Sequence, residues 1–183
     1  PPSDTGERKR TWWSGEYKWA RVYLYGNARN PVDLEKAFHL MEKQANCGNG
    51  FAMFDFGKMY AAGLGCIQND EIAQRWYTSA LRSFLREETA IRKPSYLQYR
   101  IGKMYAMGCG TQRDLTAAAQ WYMKADAGGN PFAAYALGSM YLRGEGVERD
   151  PKRAYRYFEK AAEDPSKPNA YAAYELGRMC EEG

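Results

Sequence analysis

The groups in this sequence best suited to chemistry are one histidine and four cysteines, and their spacing limits what they can do. His39 stands alone, so neither a two-histidine metal site nor a pair with a second histidine can form. It lies in a stretch of helical periodicity and reads as a surface or packing residue. Cys47 is eight residues from His39. A nucleophilic thiol needs a base held within hydrogen-bond reach, and that spacing reads as coincidence rather than a dyad. Cys47, Cys66, Cys109 and Cys180 are widely separated and contain no C-x-x-C, which argues against zinc. Two of them fall in inter-helix loops at non-equivalent positions, so no repeated disulfide is expected. Reduced thiols in a cytoplasmic protein are the simplest reading.

Three glycine pairs, Gly63/Gly65, Gly108/Gly110 and Gly144/Gly146, have the look of phosphate cradles. A phosphate loop follows a strand and continues into G-K-[ST]. These pairs sit between helical stretches and lack that continuation, so they read as turns. The 15 tyrosines and five tryptophans could stack nucleic-acid bases, but most recur at packing positions. No acid/base pair, nucleophile or ligand cluster stands out. The expectation is a non-enzyme with no cofactor, metal or small-molecule substrate.

The formal net charge of +4 is mild. The densest basic stretch, Arg8-Lys9-Arg10, reads either as a phosphate-contacting arm or as a solvated linker. With Arg82, Arg86, Arg92 and Lys93 it is the support for an alternative role as a nucleic-acid accessory module. Such a footprint normally gathers on one basic face, and nucleic acid is not the partner expected here. Charges interrupt every apolar run well short of the roughly 18 residues a membrane span needs, so no membrane role is expected. The sequence opens Pro1-Pro2-Ser3-Asp4 with no leader pattern and closes at Gly183 inside a repeat, so it is expected to continue at both ends.

The elements that position these residues come from an internal repeat. Phe54-Asp55-Phe56-Gly57-Lys58-Met59-Tyr60, Tyr99-Arg100-Ile101-Gly102-Lys103-Met104-Tyr105 and Tyr135-Ala136-Leu137-Gly138-Ser139-Met140-Tyr141 align, and Tyr174-Glu175-Leu176-Gly177-Arg178-Met179 begins a further copy. Each of the first three leads into a glycine pair, then Asp70, Asp114 or Asp150, then a second stretch around Trp76, Trp121 or Tyr157. Gly102 to Gly138 is 36 residues, as is Trp121 to Tyr157, whereas Gly57 to Gly102 is 45. The extra length prolongs the second helix past Leu85 and breaks it near Lys93-Pro94. A weaker copy precedes these, with Ala20 in the glycine's place and Ala37–Lys43 as its second helix.

Tyr99, Ile101, Met104 and Tyr105 fall on one broad helical face. Glycine inside a helix costs about 1 kcal/mol relative to alanine. Its return at a fixed offset implies that a neighbouring helix passes too close for a Cβ. Ala118 and Ala125 mirror it on the second helix. The glycine pair supplies positive φ, the aspartate caps the second helix, and Trp121 and its equivalents are expected to fill the space between pairs.

The pattern G-x-M-Y-x-x-G-x-G, then D, then A-x-x-W-Y resembles the Sel1-like repeat family, relatives of tetratricopeptide arrays. The resemblance covers roughly residues 17–183, leaving 1–16 as a linker or N-terminal extension. It implies an all-α fold, an αα-solenoid with about four helix pairs wound into a right-handed superhelix, and an adaptor role. More narrowly, YLYG (23–26), KAFHLMEKQANCGNGFAM (36–53) and YLQYRIGKMYAMGCGT (96–111) resemble the Sel1-like region of some bacterial plasmid-mobilisation relaxases. This chain would then be the accessory region, and the relaxase's histidine-rich metal motif is absent from it.

In related helical arrays the first helices line a concave face. On each first helix the positions two before, one after and five after the glycine form an i, i+3, i+7 stripe that the repeat leaves free. It reads Asp55/Lys58/Ala62, Arg100/Lys103/Met107 and Ala136/Ser139/Arg143, and restarts at Glu175/Arg178. The expected partner-binding residues are Asp55, Lys58, Arg100, Lys103, Met107, Ser139 and Arg143. Cationic points between aromatic and methionine surface suit an extended or helical peptide carrying acidic residues; a plain solvated face is the other reading.

Overall fold

The computed structural model describes residues 14–91, 94–163 and 168–182, and every regular element among them is an α-helix. In chain order these are α1 (Gly15–Tyr25), α2 (Leu34–Asn46), α3 (Gly50–Ala62), α4 (Asp70–Glu88), α5 (Ser95–Met107), α6 (Leu115–Ala127), α7 (Pro131–Arg143), α8 (Pro151–Ala162) and α9 (Ala170–Glu182). The helices pair as α1/α2, α3/α4, α5/α6 and α7/α8, the αα-solenoid repeat expected from the sequence. The chain divides into two compact units, Pro1–Ser83 and Phe84–Gly183. Arg8, Lys9, Arg10, Arg92 and Lys93 lie outside the described residues.

Each turn is built from the same bonds. α5 ends where Gly108 adopts φ +70° and returns its N–H to the Met104 carbonyl. α7 ends the same way at Gly144, φ +71°, bonded to Met140. The left-handed conformation is cheap only for glycine. Six residues on, the backbone N–H of Asp114 donates to the Tyr105 carbonyl at 3.0 Å, and that of Asp150 to Tyr141 at 2.9 Å. Their carboxylates accept from Ala117 N–H and Arg153 N–H, starting α6 and α8. The weak first copy makes the corresponding bond over a loop one residue longer, Asp33 N–H reaching the Tyr23 carbonyl at 2.8 Å. In the second copy the capping residue is Asn69 rather than the expected Asp70. The Asn69 amide oxygen accepts Ile72 N–H at 2.9 Å, and its N–H reaches the Tyr60 carbonyl. Asn69 stands twelve residues after Gly57, the separation that also gives Asp114 from Gly102 and Asp150 from Gly138.

The second glycine of a pair has a different task. A Cβ on Gly65, φ +74°, would lie 2.6 Å from the carbonyl oxygen of Leu34 at the start of α2, so this turn is pressed against the preceding helix pair.

In the first unit, Tyr17, Ala20 and Leu24 of α1 are buried at helical spacing, as are Ala37, Met41 and Ala45 of α2. The two helices are also joined by polar contacts. Ser14 donates to Gln44 Oε1 at 2.7 Å, and Gln44 Nε2 donates to Glu16 at 2.6 Å. In the second unit one core runs through α6, α7, α8 and α9, from Ala118, Tyr122 and Ala125 to Leu137, Phe158, Ala161 and Ala172.

The helix glycines are closed over by aromatic rings. A Cβ on Gly57 would stand 2.8 Å from Tyr77 Cδ1 and 3.1 Å from the Ala73 carbonyl oxygen. On Gly138 it would stand 2.7 Å from Phe158 Cδ1. This close approach is the one the recurring glycine predicts. The residue that makes it differs from the expected one. Trp76, Trp121 and Tyr157 are only half-buried, and the next residue along, Tyr77, Tyr122 or Phe158, fills the core.

Candidate partner-binding surface

Aromatic contacts between successive first helices give the second unit a continuous surface. Tyr99 of α5 meets Phe132 of α7 with ring centroids 5.8 Å apart, and Tyr135 of α7 meets Tyr171 of α9 at 6.3 Å. These separations fall within the range of favourable aromatic pairs. They place α5, α7 and α9 in succession, so the stripe beside each tyrosine recurs on a fixed support.

On that support Arg100 is half-buried, Lys103 and Arg143 are exposed, and Ser139 is half-buried. Met107 is 59% exposed. The charges of Arg100 and Lys103 both act on Cys109, the buried loop thiol. Burial pushes that thiol upward, and the two cations draw it part of the way back, leaving it above its ordinary value. A raised thiol is a poor nucleophile at neutral pH. All four cysteines are free thiols.

The first unit places its two stripe residues differently. Lys58 is half-buried, donates to the Tyr25 hydroxyl at 2.8 Å and sits over the Tyr25 ring at 5.3 Å. Asp55 is only 4% exposed. Its Oδ2 accepts a hydrogen bond from the Tyr17 hydroxyl at 2.8 Å and lies 3.7 Å from Arg21 Nε. The stripe pattern takes this position as free because it varies between copies. Here the variation has a structural cause, since α1 brings a phenol and a guanidinium that a carboxylate can satisfy. The two central copies carry Arg100 and Ala136 here and the last carries Glu175, so the sequence offers no signal that sets Asp55 apart.

Other candidates resolve into structure. The clefts bounded by Tyr105, Arg113 and Asp114, and again by Tyr141, Arg149 and Asp150, are copies of the same turn. Their arginines bond back onto first-helix carbonyls, Arg113 Nε to Ala106 at 3.2 Å and Arg149 Nε to Leu142 at 3.1 Å. Arg82 and Arg86 are exposed on α4, and His39 is exposed on α2. Among the described residues no group of three or more histidine, cysteine, aspartate or glutamate side chains could hold a metal ion. Among them, too, no helix is long and apolar enough to cross a membrane.

The sequence profile of the Sel1 repeat matches residues 13–49, 50–83, 95–130, 131–166 and 170–183. The degenerate first copy is therefore recognised as a repeat in its own right, and the last match is partial. A Sel1 repeat protein from Oxalobacter formigenes is 33% identical, covers 75% of this chain and 95% of its own, and superposes with a TM-score of 0.51. Two further structures share the fold. The protective antigen c5321 of uropathogenic Escherichia coli is 23% identical over 92% of this chain, with a TM-score of 0.52. This chain spans 41% of that antigen's length. A Sel1 repeat protein described as putative, from Klebsiella pneumoniae, is 17% identical over 90% of this chain and 76% of its own, with a TM-score of 0.50. No curated protein matches the chain.

Proposed function

The chain belongs to the Sel1 repeat family, and on that premise we propose that it is a scaffold that captures an acidic peptide, extended or helical, on the first helices of its second unit. Arg100, Lys103 and Met107 form the centre of the surface, with Ser139 and Arg143 beside them. Sel1 repeat proteins are generally protein-interaction scaffolds and generally non-catalytic. The observation that carries the reading is the ring-to-ring succession of α5, α7 and α9, which holds a cationic and methionine-bearing stripe at a regular repeat. Guanidinium groups pair with carboxylates, and an exposed methionine adapts to varied apolar side chains. Lys58 belongs to the first unit, where the Tyr25 hydroxyl accepts its hydrogen bond, and is no part of this surface. Asp55 is left out of the surface because α1 engages it.

The test is selection from a random peptide library followed by titration. Enriched peptides should be acidic. The double substitution Arg100→Glu and Lys103→Glu should keep the helical circular dichroism and weaken them at least tenfold. Recovery of neutral or basic peptides, or equal binding to the double variant, would sink the groove assignment. DNA binding that falls steeply with salt would instead favour the nucleic-acid alternative, because neutralised phosphates release counterions.

A finer reading makes this chain the accessory region of a plasmid-mobilisation relaxase, supported by the strings at 23–26, 36–53 and 96–111. A relaxase catalytic domain in the same open reading frame would bear this out, and a frame without one would remove it.

A further inference from the structure

One face of α8 gathers cations that the repeat does not require. Arg153, Arg156 and Lys160 stand three, six and ten residues after the capping Asp150. At the same offsets from their caps α6 carries Ala117, Gln120 and Lys124, α4 carries Ile72, Arg75 and Ser79, and α2 carries Lys36, His39 and Lys43. Among these second helices α8 alone has a permanent cation at all three places. The residue one turn before Arg156 differs as well. In α4 the equivalent Arg75 pairs with Glu71, four residues earlier, at 2.7 Å. In α8 that place belongs to Lys152, so Arg156 has a like charge one turn away on either side, Lys152 and Lys160. Like charges at this spacing destabilise a helix. Glu159 is exposed, and among the described residues no acid forms an ion pair with Arg156.

The three side chains border a cleft of about 330 Å³ whose other walls are Tyr141 and Tyr157. The two phenol rings stack, with centroids 5.6 Å apart and planes 9° from parallel. Arg153 is held in place, its Nε 3.2 Å from Asp150 Oδ2 and its guanidinium carbon 5.6 Å from the centre of the Tyr141 ring. Lys160 Nζ stands 2.7 Å from Oδ1 of Asp126, in the last turn of α6. Neither contact exhausts its donor, because a guanidinium carries five N–H groups and an ammonium three. Two cations are thus fixed on either side of Arg156, each with N–H groups left for a further acceptor.

We propose that this cleft binds a small phosphate monoester, its phosphate against Arg156 between Arg153 and Lys160 and its organic group on the half-buried Tyr157 ring. A dianionic phosphate offers three strong acceptor oxygens, one for each cation, whereas a carboxylate brings one charge and two oxygens. The cleft lies at the lower end of the size range of small-molecule sites. It uses none of the stripe on the first helices, so it stands or falls separately from the peptide surface proposed above.

Phenyl phosphate is the probe, titrated into the 183-residue chain at pH 7 and low salt and followed by calorimetry and phosphorus NMR. Saturable one-to-one binding is expected. Arg156→Gln should weaken it about tenfold, the loss of one charge-assisted hydrogen bond, and should keep the helical circular dichroism because the side chain is exposed. Arg82→Gln, which removes the same charge from an exposed place on α4, should bind as the parent does. Phenyl sulfate, a monoanion of similar shape, should bind more weakly. Binding of phenyl phosphate should also weaken as the pH falls through about 6, where its second proton returns. Absence of saturable binding, or equal losses from Arg156→Gln and Arg82→Gln, would overturn the site. Equal affinity for phenyl phosphate and phenyl sulfate would overturn the choice of a phosphate dianion.

Discussion

Gly102 of α5 lies directly beneath the Tyr122 ring of α6: an added Cβ would stand 2.7 Å from Cδ1, 2.8 Å from Cε1 and 3.2 Å from the Ala118 carbonyl oxygen. The ring is buried and cannot swing aside, and the carbonyl belongs to the helix backbone. One hydrogen atom in place of a methyl group therefore sets how closely the two helices approach.

The glycine series separates this packing role from helix propensity. Gly→Ala inside a helix gains about 1 kcal/mol where nothing else changes, while overpacking a dense core costs about 1–3 kcal/mol. Gly57→Ala, Gly102→Ala and Gly138→Ala are expected to be net destabilising, by up to about 2 kcal/mol after the two effects offset. Gly177→Ala, with nothing within 4 Å, keeps only the gain and is expected to stabilise by about 0.5–1 kcal/mol. Urea unfolding of the four variants reads the sign directly, and the same sign at all four positions would refute the account.

Much of this was legible in the sequence, because a repeat shows its constraints several times over. The 36-residue return of Gly102 and Trp121 locates helix pairs, and a costly glycine kept at one offset betrays a close approach. Adjacent residues resisted the same reading. Trp121 and Tyr122 are both aromatic and lie about 100° apart on a helix, so periodicity names the face without saying which ring enters the core. Asn69 and Asp70 can both accept a cap bond, and the Ile72 N–H bond to the Asn69 amide oxygen decides between them. Asp55 was hidden for another reason. Its partners Tyr17 and Arg21 are more than thirty residues away on a different helix pair, and nothing local announces them.

The capping assignment makes a second prediction. Asn69→Ala should cost about 1 kcal/mol, typical of a lost N-cap, and Asp114→Ala should match it, since its carboxylate holds Ala117 N–H at 2.8 Å. Asp70→Ala should lie within about 0.5 kcal/mol of the parent, as an ordinary surface change does. Thermal unfolding of the three variants tests the order. An Asp70 effect as large as that of Asn69 would return the cap to the residue the repeat pattern first suggested.

Alkaline pH supplies the last prediction, through the ring that covers Gly102. Burial pushes the Tyr122 phenol well above its ordinary value, with Tyr99 adding to the shift, and burial also raises Tyr99. The two rings lie 5.8 Å apart. In the unfolded chain Tyr122 ionises near pH 10, while in the folded chain it keeps its proton to higher pH. Between those two points the folded state holds one proton more than the unfolded state, so stability falls as pH rises, by about 1.4 kcal/mol per pH unit for this group. Below the unfolded value the contribution is complete and constant. Phe158 occupies the equivalent position in the next repeat, so Tyr122→Phe keeps a ring over Gly102 and should fold normally. Its unfolding free energy near pH 7 should stay within about 1 kcal/mol of the parent. Above pH 10 it should lose stability less steeply than the parent, by about one proton's worth of slope. Urea titrations from pH 7 to 11 measure that slope, and identical pH profiles for the parent and Tyr122→Phe would mean that Tyr122 ionises alike in both states.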